Sequence, residues 1–429
     1  MNIEKSALGS RLSSTSGIEI LMDDLGKAMA EGGENVKMLG GGNPAHIPAV
    51  DALWRQRMQE ILENGDQFDR MVGNYDPPGG NDKFLEALAA MLGREYGWDI
   101  SADNIAVTAG GQTAFFFLFN MLAGDMPDGT RKRILLPVVP EYIGYANQGA
   151  NGDIFEARHP KITHPAPHRF KYGIDFDNLN LDPQRHAAVC LSRPTNPTGN
   201  VVTDEEIAHL SALCKEAGIP LIIDGAYGTP FPNIMFNEAN PVWDDHIILT
   251  LSLSKIGLPG TRTAFVIANQ KIASSVRSET AIIGLSNGNV GQAIMRPLIE
   301  TGDVLKLSND VIRPHYKKQS DFALACADEF FADDLPYHIH VSEGALFLWF
   351  WFEGLPISSQ ELYQRLKKRD VLVVPGEPFF FGLPVEADDP WRHRHECIRV
   401  SFAMPEATVR EGLRIIAEEV AAAYAPVTK

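Results

Sequence analysis

Short apolar runs recur along the chain, each closed by polar residues, glycine or proline. They are Ile105–Thr108, Arg133–Pro137 (RILLP), Ala187–Leu191 (AAVCL), Pro220–Asp224 (PLIID), Ile247–Leu251 (IILTL) and Phe265–Ala268 (FVIA). Runs of this length without alternation are buried on both faces, which predicts a mainly parallel sheet covered by helices. Thr203–Ala217 reads as an intervening helix: Thr203 caps it, Glu206 completes a capping box, and Gly218 with Pro220 ends it.

Beyond about residue 305 the pattern changes. Val304–Phe331 reads as one helical stretch broken near Pro314, followed by strands at Ala345–Phe352 (ALFLWFWF), Val371–Pro375 and Ile398–Phe402 and an amphipathic helix at Ala407–Ala423. The expected organisation is α/β: an N-terminal arm over residues 1–45, a large unit over 46–303, and a smaller α+β unit over 304–429. The charge-free stretch Ile105–Gly124 has the length of a membrane span, but Gly110-Gly111-Gln112-Thr113 divides it, so strand, turn and helix is the expected structure.

With 38 Lys plus Arg against 55 Asp plus Glu, the 429-residue chain carries a net charge of −17, which disfavours nucleic acid as a partner. The four cysteines (Cys190, Cys214, Cys326, Cys397) are far apart, so neither a disulfide scaffold nor a zinc motif is expected. With no apolar core of signal-peptide length near the N-terminus, the expected compartment is the cytoplasm. His393, His395 and Cys397 lack a fourth ligand at motif spacing, so no metal is expected there.

Four strand ends carry chemistry. Ser252-Leu253-Ser254-Lys255 follows IILTL, with Gly257, Gly260 and Arg262 after it. Lys255 there is either a lysine snorkelling to the surface or a desolvated amine able to form a Schiff base. Asp224 closes PLIID, as a turn cap or as a ligand-facing acid. Asn196 sits in a rigid turn (RPTNPTG) after AAVCL. Gly110-Gly111 lies where a strand meets a helix N-terminus, a place for a phosphate or a bare tight turn. Together they supply an anion cradle, an acid, a fixed amide and a lysine, the set that pyridoxal 5′-phosphate needs.

The order NPTG, DGAY, SLSK and then a glycine-bounded Arg262 resembles the fold type I, class I/II pyridoxal-phosphate aminotransferases, from about Leu39 to the C-terminus. MLGGGNPAHIP, PEYIGYA, SRPTNPTGN, SLSKIGLPGTR and EGALFLWFWF resemble segments of the members that act on valine and pyruvate. The resemblance implies that Lys255 is the Schiff-base lysine and proton shuttle, and that Asp224 pairs with the pyridinium nitrogen. It implies that Tyr227 and Asn196 bind O3′ and that Tyr142 stacks on the ring. Gly111, Gln112, Ser252, Ser254 and Arg262 would hold the phosphate, although Arg262 follows Lys255 by seven residues where many relatives have eight. Tyr75 would reach the partner subunit's phosphate in a homodimer with shared sites. Arg399 and Gly42, with Asn196, would meet the substrate, although Arg399 alone reads as readily as an outward-facing strand residue.

Ala281–Ala293 (AIIGLSNGNVGQA) contains no Arg or Lys, which argues against a dicarboxylate substrate, and Ile18, Ile20, Ile283 and Leu285 are small apolar candidates for the substrate pocket. The expected reaction is amino transfer between a small neutral or branched-chain amino acid and a 2-oxo acid, valine with pyruvate first, in branched-chain amino acid biosynthesis. Alanine and 2-aminobutyrate are plausible co-substrates. The cofactor residues themselves do not choose between a transaminase and a lyase on the same fold.

Overall fold

The computed structural model describes residues 3–13, 19, 23–27, 30, 33–384 and 391–425. The apolar runs assemble into an eight-stranded sheet. Its order is Ile105–Thr108, Ala264–Ile267, Ile247–Ser252, Leu221–Asp224, His186–Ser192 and Arg131–Leu136, with Phe155–Ala157 and Gly124–Asp125 both pairing with the last of these. Ala264–Ile267 is antiparallel to both neighbours, and Gly124–Asp125 is antiparallel to its own. The pairings among the central strands are parallel, so their carboxyl ends share one edge. Four of these strands are buried along their whole length, which is why their sequences show no alternation.

The helix expected after Thr203 spans Asp204–Ala217, with both capping-box bonds formed and Gly218 in the left-handed conformation at φ +66°. The uncharged stretch after residue 105 is a strand, a turn and the helix Gly111–Leu122. Among the described residues, no helix is long and apolar enough to cross a membrane.

A second sheet has six strands in the order Val374–Pro375, Cys397–Ser401, Phe347–Phe352, Tyr337–His340, Arg169–Gly173 and Lys161–Ala166. Its last two strands come from within residues 46–303, and the first of them, Arg169–Gly173, pairs onto Tyr337–His340 from beyond 304, an excursion the apolar runs did not signal. Val371–Pro375, expected as one strand, is two: Val374–Pro375 joins the second sheet, whereas Val371–Leu372 pairs in parallel with Lys37–Met38 of the arm. Tyr363 and Lys367 both bind Asp24, so hydrogen bonds fasten the arm to the C-terminal residues.

The expected break near Pro314 is a π-helical turn, Leu307–Ile312, between the helices Asp303–Lys306 and Arg313–Phe330. Pro314 lacks an N–H for the ladder, and the wider turn just before it absorbs that loss.

Candidate active site

Parallel register brings the strand ends together. Ser192 pairs with Asp224, and Asp224 with Thr250, so three adjacent strands finish at one level. The chain then departs through the Asn196 turn, through Gly225–Tyr227, and through the 3₁₀ turn Ser254–Ile256 that carries Lys255. Such a level edge of an open α/β sheet is where ligands bind.

Asp224 is buried and held on both oxygens. Oδ2 accepts from the Tyr145 hydroxyl at 2.5 Å, and Oδ1 accepts from Ala226 N–H at 2.9 Å and from the Thr250 hydroxyl at 3.4 Å. Burial raises its carboxyl above the ordinary range, against the pull of these donors. Lys255 Nζ donates to the Gly42 carbonyl at 2.6 Å and lies 5.3 Å from the centre of the Tyr227 ring. Burial, then the charges of Arg399 and Arg262, lower its amine to about 8, and the half-buried side chain has its Nζ on the arm's backbone.

The anion cradle lies beside the lysine. Gly110 precedes the helix at φ +90°, and the helix has no side-chain cap, which leaves its first N–H groups free for a ligand. A Cβ at Gly110 would stand 2.1 Å from Arg262 Nη2, so only glycine lets that guanidinium lie against the turn. Ser252 donates to Ser254 at 3.0 Å where the strand Ile247–Ser252 ends. The Gln112 side chain is turned elsewhere: its Nε2 donates to the Gly144 carbonyl at 2.7 Å, which leaves its backbone for an anion. Tyr142 lies against Gly144, whose absent Cβ would stand 2.3 Å from the ring.

Arg399 is 5 % exposed, so it is not an outward-facing strand residue. Nη1 donates to Asn196 Oδ1 and Nη2 to the Gly40 carbonyl, both at 2.8 Å, while Nε is buried without a partner. Its guanidinium carbon lies 4.1 Å from the Phe347 ring centre and 5.5 Å from that of Phe379. Burial lowers it to about 10, which leaves it charged at neutral pH. A buried guanidinium with one orphaned N–H suits a carboxylate ligand.

Tyr75 is 82 % exposed and stands apart from this cluster within one chain. Ile18 and Ile20 lie outside the described residues, and Ile283 and Leu285 are exposed. His393 binds the Tyr172 hydroxyl and His395 pairs with Glu377 at 3.2 Å. Among the described residues no group of three or more His, Cys, Asp or Glu could hold a metal ion.

Residues 49–416 match the family model for aminotransferase class I and II. The chain belongs to the class I and II aminotransferases. It is 44 % identical to the valine–pyruvate aminotransferase of Escherichia coli K12, over 98 % of this chain and 99 % of that protein. Among solved structures it superposes on a putative amino-acid aminotransferase from Psychrobacter arcticum 273-4, with TM-score 0.94, 42 % identity and 99 % coverage of each chain. It also superposes on the valine–pyruvate aminotransferase of Salmonella typhimurium LT2, with TM-score 0.86, 43 % identity, and coverage of 95 % of this chain and 99 % of that one.

Pyridoxal 5′-phosphate is the aminotransferase's cofactor. The residues fit it: the Gly110 turn lies against a guanidinium, and a buried acid and an amine of lowered basicity stand close enough to feel each other's charge. Sequence reasoning missed Glu141, Tyr145 and the Gly40 carbonyl. Only Tyr145 had a local signal, since it follows Tyr142 by three residues and so shares a face of the 3₁₀ turn Ile143–Tyr145.

Proposed function

We propose that this aminotransferase moves an amino group from L-valine to pyruvate, giving 3-methyl-2-oxobutanoate and L-alanine. The observation that carries this reading is the near-complete match, at 44 % identity, to an enzyme named for that pair. The absence of Arg and Lys from Ala281–Ala293 supports a side-chain pocket for an uncharged group. Alanine and 2-aminobutyrate are expected to serve as donors too, since one methylene in an apolar pocket discriminates by only about 1–3 kcal/mol.

Pyridoxal 5′-phosphate supplies an electron sink for the substrate's Cα. Gly111 and Gln112 would hold its phosphate through backbone N–H groups, with Ser252, Ser254 and Arg262. Tyr142 would cover one ring face, Asn196 and Tyr227 would bind O3′, and Asp224 would keep the ring nitrogen protonated. Lys255 would hold the aldehyde.

The chain's own work is binding and proton movement. Arg399 grips the α-carboxylate with its planar fork, and Gly42 brings the arm's backbone to the substrate. Released Lys255 takes the proton from the substrate's Cα at Nζ. An amine with pKa about 8 has a usable neutral fraction near pH 7, which an ordinary lysine lacks. Phe347 and Phe379 keep water from the guanidinium, which strengthens its hold on the carboxylate.

Exposed Tyr75, Val72, Ile282, Ile283 and Leu285 support a homodimer in which Tyr75 reaches the partner's phosphate. The reading takes residues 1–45 as an arm, 46–303 as the cofactor-holding unit and 304–429 as the smaller unit, with cytoplasmic location. Pure protein supplied with pyridoxal phosphate, L-valine and pyruvate should form alanine and 3-methyl-2-oxobutanoate in equal amounts. No alanine from that mixture, but ammonia and a 2-oxo acid from an amino acid with a β leaving group, such as serine, supplied alone, would make it a lyase.

A further inference from the structure

The mechanism leaves two buried acids unused among the described residues, Glu141 and Glu396, and Glu396 is paired with Arg392 at 3.2 Å. Glu141 is fully buried, and among the described residues it has no cation partner. Its oxygens instead accept from two backbone N–H groups and a hydroxyl. Oε1 takes Ser192 N–H at 2.6 Å, Oε2 takes Tyr142 N–H at 2.9 Å, and the Ser192 hydroxyl lies 3.0 and 2.8 Å from the two. Its own N–H donates to the Phe379 carbonyl at 2.9 Å.

These bonds join two segments that are distant in the chain. Ser192 ends the strand that leads into the Asn196 turn, and it is the register partner of Asp224. On the other side, Glu141 opens the turn whose Tyr142 ring packs edge-on to Tyr145 at 5.2 Å and whose Tyr145 hydroxyl binds Asp224. We propose that Glu141 is a positioning residue, pinning the turn that carries Tyr142 and Tyr145 to the strand end that carries Asp224 and Asn196. The inference rests on the proposed cofactor reading, because it concerns the walls that would hold the ring.

The chemistry explains why a carboxyl stands here rather than an amide. Each oxygen accepts a backbone N–H, so a glutamine would turn its NH₂ toward one of those donors and lose that bond. The Ser192 hydroxyl donates or accepts, so the cluster is satisfied whether Glu141 is ionised or protonated. Burial, with Asp224 nearby, raises it to about 7, and its three donors oppose that rise.

The test compares the cofactor-loaded wild type with E141Q and S192A. Four quantities are read: induced circular dichroism of the bound cofactor, pyridoxal phosphate affinity, and kcat and KM for valine. E141Q should fold, show weaker induced dichroism, and lose about tenfold or more in kcat, because a loosened wall misplaces the reacting groups. Its KM for valine should stay within about threefold, since Arg399 holds the carboxylate from another strand. S192A keeps the backbone donor and should move the same quantities less. A folded E141Q with native dichroism and kcat within about twofold overturns the inference, as does one that loses only thermal stability. If E141Q fails to fold, S192A decides, and an unchanged dichroism and kcat there overturn it. A wild type that binds no pyridoxal phosphate overturns the cofactor reading and this inference with it, a result distinct from a normal E141Q.

Discussion

Arg399 and Asn196 are joined by a 2.8 Å hydrogen bond from Nη1 to Oδ1 that crosses from one sheet to the other. Asn196 follows the eight-stranded sheet and Arg399 lies inside the six-stranded one. The bond fixes the fork while leaving Nε free. Arg399→Lys keeps the charge and loses the fork. It should weaken the grip on amino and oxo acids by about 2–5 kcal/mol, read as raised KM for both substrates. An unchanged KM would place the carboxylate elsewhere.

Lys255 sets a pH dependence. Its amine, lowered to about 8, is mostly protonated at pH 7 and neutral above pH 8, and only the neutral form attacks an aldehyde. Pyridoxal phosphate uptake by cofactor-free protein should rise by nearly tenfold per unit below about pH 8 and level off above it. Arg262→Gln removes one of the charges that lower the amine, so the plateau should move to higher pH. Lys255→Ala should abolish borohydride-fixable colour and lower the rate by more than about 10⁴-fold, because anchoring is lost with the base. Fixation at another lysine would refute the assignment.

Gly110 is constrained twice, by φ +90° and by the guanidinium against it. Gly110→Ala should displace Arg262 and strain the turn, at a backbone cost of about 1–3 kcal/mol. The measurement is pyridoxal phosphate affinity by titration of cofactor-free protein, which should fall by roughly tenfold or more.

His340 and His393 are buried neutral, and burial lowers both to about 3. Between pH 6.5 and about 3 the unfolded chain takes up protons that the folded chain refuses, so stability falls as pH drops through that window. Each contributes a slope of about 1.4 kcal/mol per pH unit. His340→Gln should lower stability at pH 7, since His340 accepts from Tyr172 N–H, yet flatten the acid-side slope by about one proton. Urea midpoints at pH 7, 6 and 5 check this.

Ile282 and Ile283 are 83 % and 62 % exposed, which fits a surface covered by a second copy. The double change Ile282→Asp, Ile283→Asp should give monomers by sedimentation and lower activity, because Tyr75 would no longer reach a partner site. Active monomers would refute the shared site.

The central sheet was legible because its strands are buried on both faces and end on unusual residues. Asp224, Lys255 and Asn196 could be placed on one edge from those runs alone. The edge strand Lys161–Ala166 was not, since its mostly exposed residues leave no apolar signature. Arg399 was ambiguous locally, because a strand arginine looks the same whether it faces solvent or a buried carboxylate site. Glu141 was invisible for a related reason: its partners are backbone groups of distant segments, and no side-chain spacing announces them.

The short ladder of Lys37–Met38 on Val371–Leu372 joins segments roughly 330 residues apart, among the longest chain closures in the molecule. Such a closure carries a large loop entropy for two residue pairs of ladder, so it forms late and opens early. Gly40 and Gly42 sit just beyond it with their carbonyls on Arg399 and Lys255. Amide hydrogen exchange at Lys37–Gly42 should therefore run ahead of the central strands, and substrate occupancy should slow it. The same strip of chain would then report, through its own exchange rate, how full the active site is.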